Sequence, residues 1–127
     1  MTRHGMYIGS HGHAHEWMGW LNPGEQAADI DRSIELLRCV GTDLSAWIMC
    51  DPHGDSNGSL RTILREKGCA VGLTTAHGIA SGGDDLLQMA RLDTNDLPKD
   101  GGAPPGPWTT SLLESDLGRP DFSGNLQ

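Results

Sequence analysis

The sequence predicts an α/β domain whose strands run parallel and are joined by crossover helices. Three observations predict it. Short apolar runs alternate with amphipathic stretches in the order strand, helix, strand, helix, strand. The run Ala46-Trp47-Ile48-Met49-Cys50 lacks polar alternation, as expected of a strand covered on both faces. Asn22-Pro23-Gly24-Glu25 carries the signals of a helix start, with Asn22 as N-cap, Pro23 in the first turn and Glu25 at the reciprocal capping position.

Met6-Tyr7-Ile8-Gly9 reads as a first short strand, ending where the polar Ser10-His11-Gly12-His13-Ala14-His15 begins. The helix that starts at Asn22 is expected to reach about Val40, with Gly41 ending it. Ala27, Ile30, Ile34 and Leu37 form its apolar face, and Asp29, Asp31, Arg32 and Glu35 lie elsewhere. After the strand at Ala46–Cys50, turn chemistry takes over from Asp51 to Asn57. Leu60, Ile63 and Leu64 mark a second helix to Lys67, closed by Gly68, before a strand over Cys69–Leu73. A further short strand is expected at Met89–Leu92, beyond the connection through Ser81-Gly82-Gly83. Residues 1–99 then form the α/β domain, and residues 100–127 a Gly/Pro-rich arm with one weak helical turn near Leu112.

The chain has 127 residues, enough for one such domain, and its nine Lys and Arg against seventeen Asp and Glu give a net charge of -8. That balance repels a phosphate backbone or an anionic membrane surface, so no nucleic-acid partner is expected. No apolar run approaches the roughly 18 residues of a membrane span. The first residues lack the apolar stretch of a secretory signal, so a soluble, cytoplasmic protein is expected. Cys39, Cys50 and Cys69 include no CxxC pair and suggest reduced thiols, not a disulfide framework or a cysteine zinc site.

In parallel α/β sheets and barrels, ligand sites gather at the carboxyl ends of the strands. Both polar clusters, residues 11–15 and 51–57, follow strands, so they are expected to converge on one pocket. His11, His13 and His15 have Gly12 and Ala14 as neighbours, a poor pattern for core packing that suits either a divalent-metal site or a solvated polar loop. A helical turn brings His11 and His15 to one side. An extended segment brings all three there, so spacing alone leaves the ligand pair open.

Ile8-Gly9-Ser10-His11-Gly12-His13-Ala14-His15, followed by a capped helix, resembles the second motif of NodB-type polysaccharide deacetylases. Cys50-Asp51-Pro52-His53-Gly54-Asp55-Ser56-Asn57 resembles that family's third motif, and Ala90 to Pro98 a segment of its members associated with surface-polysaccharide biosynthesis. The resemblance covers roughly residues 5 to 100. It implies a partial (β/α) barrel and metal-dependent hydrolysis of the non-peptide amide C–N bond of an acetylated sugar or polysaccharide precursor. It implies a divalent metal, zinc by preference, held by His11 and His15, and an oxyanion donor in the backbone N–H of His53. The metal polarises the carbonyl and activates water, while the backbone N–H stabilises the charge that develops on oxygen.

The sequence also departs from the family pattern. The first motif, which supplies an aspartate ligand and an aspartate base upstream of the second, has no counterpart: none of the ten residues before His11 is Asp or Glu. Cys50 and Asp51 stand where many members have Arg and Pro, and His53 where an aromatic is usual. No Leu-His pair near the C-terminus supplies the general acid, and His77 lies in the wrong segment. Two explanations fit. One is a shortened form of a longer deacetylase, whose exposed sheet edge invites self-association. The other is an inactive remnant that binds carbohydrate or metal without turning it over. Asp51 or Asp55 is the substitute ligand or base to test. Trp17 and Trp20 lie near enough to His15 to stack on a sugar, whereas Trp47, Arg91, Cys50 and Cys69 read as structural. An HxHxDH binuclear hydrolase pattern is not met, since Ala14 and Glu16 flank His15.

Overall fold

The capping signals at Asn22 act as written. In the computed structural model, which describes residues 4–104 and 106, α1 spans Pro23–Cys39. The Asn22 side chain accepts from the N–H groups of Gly24 and Glu25, and the Glu25 carboxylate accepts from the Asn22 N–H at 2.9 Å. Asn22 and Glu25 thereby satisfy orphan donors of the first turn reciprocally. The buried stripe of α1 is more polar than its apolar spacing suggests. Ile30 and Leu37 are buried as expected, Ala27 and Ile34 sit half-buried at the margin of the core, and Gln26, Asp29 and Ser33 are buried with the apolar pair. Asp29 thus corrects the reading that placed it away from the core.

β1 covers Trp47–Cys50, α2 Gly58–Glu66, β2 Cys69–His77 and β3 Met89–Arg91. Gly41 and Gly68, both at positive φ, follow the two helices and let the chain leave them in the left-handed conformation. The strands form a parallel sheet of order β1-β2-β3, with Ile48 opposite Val71, Cys50 opposite Leu73 and Leu73 opposite Met89. This open sheet with its flanking helices is a partial β/α barrel. The crossover from β1 to β2 is α2, but β2 returns to β3 through the glycine-rich connection and a 3-10 turn at Leu86–Gln88.

Two expectations about strands change. Met6–Gly9 is not a strand: only Ser10 joins the sheet, in one parallel bridge to Met49 with Ser10 N–H donating to Ile48 O (2.8 Å) and Cys50 N–H to Ser10 O (2.9 Å). The Ile48 N–H is taken by the Tyr7 hydroxyl, so a side chain replaces the ladder there. β2 runs past Leu73 to His77, because pairing with β3 extends it beyond its apolar run. Arg91, at the end of β3, donates its Nε to the Thr74 carbonyl.

The core gathers Met18, Ile30, Leu37, Trp47, Met49, Leu60 and Leu64 between α1, α2 and the sheet. Trp47 is fully buried and donates its indole N–H to Lys67 O, so it is structural, as expected. Cys69 is buried and Cys50 half-buried, both as free thiols.

The chain divides after Arg91 into the units Met1–Arg91 and Leu92–Gln127, whereas composition places the boundary after Lys99. The second unit begins with a 3-10 turn, Thr94–Asp96, whose Thr94 carbonyl accepts from Lys99 Nζ. The helical turn expected near Leu112 and Trp108 lie outside the described residues. Among the described residues no helix is long and apolar enough to cross a membrane.

Replacing Asn22 with Ala removes the helix cap and is expected to lower stability by about 1 kcal/mol. A urea midpoint that falls at constant slope is the expected readout.

Candidate active site

The two polar clusters do converge. Ser10 is pinned to β1 by its bridge to Met49, and its hydroxyl shares a 2.6 Å hydrogen bond with Ser33 of α1. The chain then turns away, and the loop is caught by α1: the Asp29 carboxylate accepts from His13 N–H at 2.8 Å and from Ala14 N–H at 2.9 Å. Such charge-assisted bonds are stronger than neutral ones, and they hold the loop where His15 adopts a left-handed φ of 57°.

On the other side, β1 ends at Cys50 and the chain enters a 3-10 turn at Pro52–Gly54, in which His53 is left-handed (φ 58°). Gly54 and Asp55 donate their N–H groups to the Asp51 and Pro52 carbonyls. His53 N–H donates to no acceptor among the described residues. Asp55 and Asn57 then clasp the other cluster. Asp55 Oδ2 accepts from Gly19 N–H at 2.6 Å, and Asn57 Nδ2 donates to Gly19 O at 3.1 Å. A Cβ on residue 19 would lie 2.6 Å from Asp55 Oδ1, so a larger residue there would displace the Asp55 carboxylate from this clasp.

The result is a row of rings. His11 and His15 meet edge to face at 4.8 Å, His15 meets His53 at 4.5 Å, and His53 stacks on Trp17 at 4.2 Å with 8° between planes. The His53 imidazole stands where the resemblance expects an aromatic ring, and it stacks as one. Its Nε2–H donates to the His15 carbonyl at 3.3 Å. His11 donates Nδ1–H to Cys50 O at 2.7 Å, which leaves Nε2 as the lone-pair nitrogen of the neutral ring. His13 joins none of these ring contacts among the described residues.

Asp51 lies beneath the turn, 1% exposed, and neither carboxylate oxygen has a hydrogen-bond partner. Burial pushes its pKa up to about 6; Ser56, Arg61 and His11 pull the other way, and Asp55 adds to the rise. The Ser56 hydroxyl acts on Asp51 without forming a full hydrogen bond to it.

The fit to a divalent ion is partial. His11 and His15 adjoin, and the Nδ1–carbonyl bond of His11 is the outer-shell support that orients a ligating imidazole. A tetrahedral ion takes four donors. Among the described residues no three His, Cys, Asp or Glu side chains are grouped to hold a metal, so neither Asp51 nor Asp55 completes the set.

His11, His15, Asp51 and His53, all expected from the sequence, share this site. Sequence reasoning missed the assembling roles of Asp29 and Asn57, and named Asp55 only as a substitute ligand or base, whereas it accepts from Gly19 N–H. Their one local signal was the excess of Asp and Asn beside the two turns.

The polysaccharide deacetylase family description matches residues 1–72, more than half of the chain. Among solved structures, the Streptococcus pyogenes deacetylase PplD in complex with acetate is similar, with a TM-score of 0.61 and 25% identity over 66% of this chain. The match spans 37% of that protein's length. No curated protein matches the chain at a significant level.

Two outcomes test this geometry. Asp29→Ala leaves the His13 and Ala14 amides without their acceptor and should lower stability by about 2–4 kcal/mol. Hydrogen exchange should show the loss of protection concentrated at those two amides. Asp51 is more acidic in the unfolded chain than in the folded one, so the folded state binds the extra proton and stability falls as pH rises from about 4 to 6. Asp51→Asn should therefore stabilise the metal-free protein at pH 7, by an amount on the order of 3 kcal/mol, and leave it nearly unchanged at pH 3.5. Urea unfolding at the two pH values checks the sign.

Proposed function

Because the chain belongs to the polysaccharide deacetylase family, we propose that its ring cluster is the histidine half of a carbohydrate N-deacetylase site, acting on the amide C–N bond of an acetylated sugar. The observation that carries this reading is the adjoining pair His11–His15, with the Nδ1–H of His11 tied to Cys50 O and the unengaged N–H of His53 beside it.

Each residue then has a task. His11 and His15 would hold a divalent ion, zinc by its preference for imidazole, and their rings already adjoin at 4.8 Å. When bound, such an ion polarises a carbonyl and makes its water acidic enough to supply hydroxide near neutral pH. The His53 N–H, with no acceptor of its own among the described residues, is available to the oxygen of a reacting amide, where a preorganised donor is most effective. Asp51 is the candidate proton acceptor, since a carboxyl shifted to about 6 matches the needs of a base at neutral pH. Its burial means that a water must reach it before it can act.

Two imidazoles alone make a weak and open metal site. The described residues bring no third ligand to the pair, so we propose that this chain binds metal without releasing acetate unless a further carboxylate joins the site. The resemblance places that carboxylate in a first motif, which the sequence does not contain.

Zinc binding followed by calorimetry, with acetate release from acetylated chitooligosaccharides measured in parallel, tests the reading. Uptake by the wild-type chain should be lost in the His11→Ala/His15→Ala double variant and retained in His13→Ala. Stoichiometric zinc in the double variant would remove the ligand assignment. Acetate release by the unaided chain would overturn the claim that a carboxylate is lacking.

A further inference from the structure

Trp20 is 83% exposed, an unusual position for the largest apolar side chain, and it is held there by a rigid support. It ends the 3-10 turn Met18–Trp20, whose Met18 side chain is fully buried in the core. Its own N–H donates to Trp17 O at 3.0 Å. The preceding Gly19 is gripped through both its N–H and its carbonyl by Asp55 and Asn57, and Gln26 Nε2 holds Met18 O at 2.7 Å. The backbone just before Trp20 is therefore tied at Met18 O, Gly19 N and Gly19 O to α1 and to the turn after β1. The indole is also buttressed: it stacks on Trp17 at 5.8 Å and 25°, and Trp17 stacks in turn on His53.

We infer that the indole of Trp20, supported by Trp17, is a distal carbohydrate subsite that takes the face of another pyranose ring of the glycan presented to the histidines. This inference rests on the reading of the site as one for acetylated sugars. An indole presents a negatively polarised face, and the C–H bonds on one side of a pyranose offer it a matching positive, apolar surface. Ring contacts connect Trp20 through Trp17, His53 and His15 to His11, so a sugar on Trp20 sits at the far end of the same contiguous surface as the reacting unit. A platform already fixed by hydrogen bonds loses little freedom when a ring settles on it, which favours binding. The chain's net charge of -8 also favours a neutral glycan over an anionic one.

Isothermal titration of the full chain with a neutral N-acetylglucosamine tetramer tests the inference. Binding by the wild-type chain should weaken about tenfold in Trp20→Ala and be largely kept in Trp20→Phe, and zinc uptake should be the same in all three. Because Trp20 is exposed, neither substitution threatens the fold. Wild-type affinity in Trp20→Ala, or no binding of the tetramer by the wild-type chain, would overturn the inference. So would a change confined to self-association in sedimentation, since that marks the face as a protein contact. The outcome is separable from the metal reading: the His11→Ala/His15→Ala variant should lose zinc yet still bind the tetramer at Trp20. If it keeps zinc, the metal assignment falls and the subsite stands.

Discussion

The site depends on one buried carboxylate. Asp29 projects from the middle of α1 and accepts from two successive backbone N–H groups, those of His13 and Ala14. A carboxylate is withdrawn from water at considerable cost unless its oxygens are hydrogen-bonded. Here the loop supplies those bonds, so burial of the charge and ordering of the loop are one event. Once His13 and Ala14 are fixed to the helix, His15 has little choice of direction, and its ring meets both His11 and His53. The second clasp, Asp55 and Asn57 on Gly19, works the same way from the opposite side. Two acidic residues, each bonded to backbone of the histidine-bearing segment, thus close a site whose histidine side chains are exposed.

That arrangement offsets strain. His15 and His53 are both left-handed, a conformation that costs a residue with a Cβ on the order of 1 kcal/mol or more. The two residues face each other, with the His53 ring donating to the His15 carbonyl. Strain at both partners of one contact, over-determined by hydrogen bonds from α1 and from the turn after β1, is the pattern of a preorganised site. Asp51 adds a second tension, a carboxyl with no partner for either oxygen beneath the same turn. Both features are tolerable because Trp47, Met49 and Leu60 anchor the surrounding framework in the core.

What the sequence made legible follows from how local each determinant is. The start of α1 was readable because a capping box lies within four consecutive residues, and β1 because an unbroken apolar run has few other uses. The convergence of the histidines with the turn after β1 was readable from topology, since strands in parallel sheets deliver their carboxyl ends to one side. The buried role of Asp29 was not, because its partners lie fifteen and sixteen residues upstream and helical periodicity places it beside polar neighbours. The strand expected at Met6–Gly9 failed for a similar reason. Its apolar residues promised a ladder, but Tyr7 reaches β1 with its hydroxyl and only Ser10 does so with its backbone. β2 outran its apolar segment because β3, distant in sequence, pairs with its far end.

The incomplete metal set and the complete ring row have different structural origins. A closed metal centre requires at least three or four converging donors, and among the described residues no three His, Cys, Asp or Glu side chains are so grouped, whereas the ring row draws on two segments. Ring stacking requires only that the loop after Ser10 and the turn after Cys50 be held side by side, which Asp29, Asp55 and Asn57 accomplish. The ring row therefore asks less of this framework than a metal centre does. On the proposed reading, sugar binding uses the row of rings, and turnover would use, in addition, a carboxylate delivered where His11 and His15 meet.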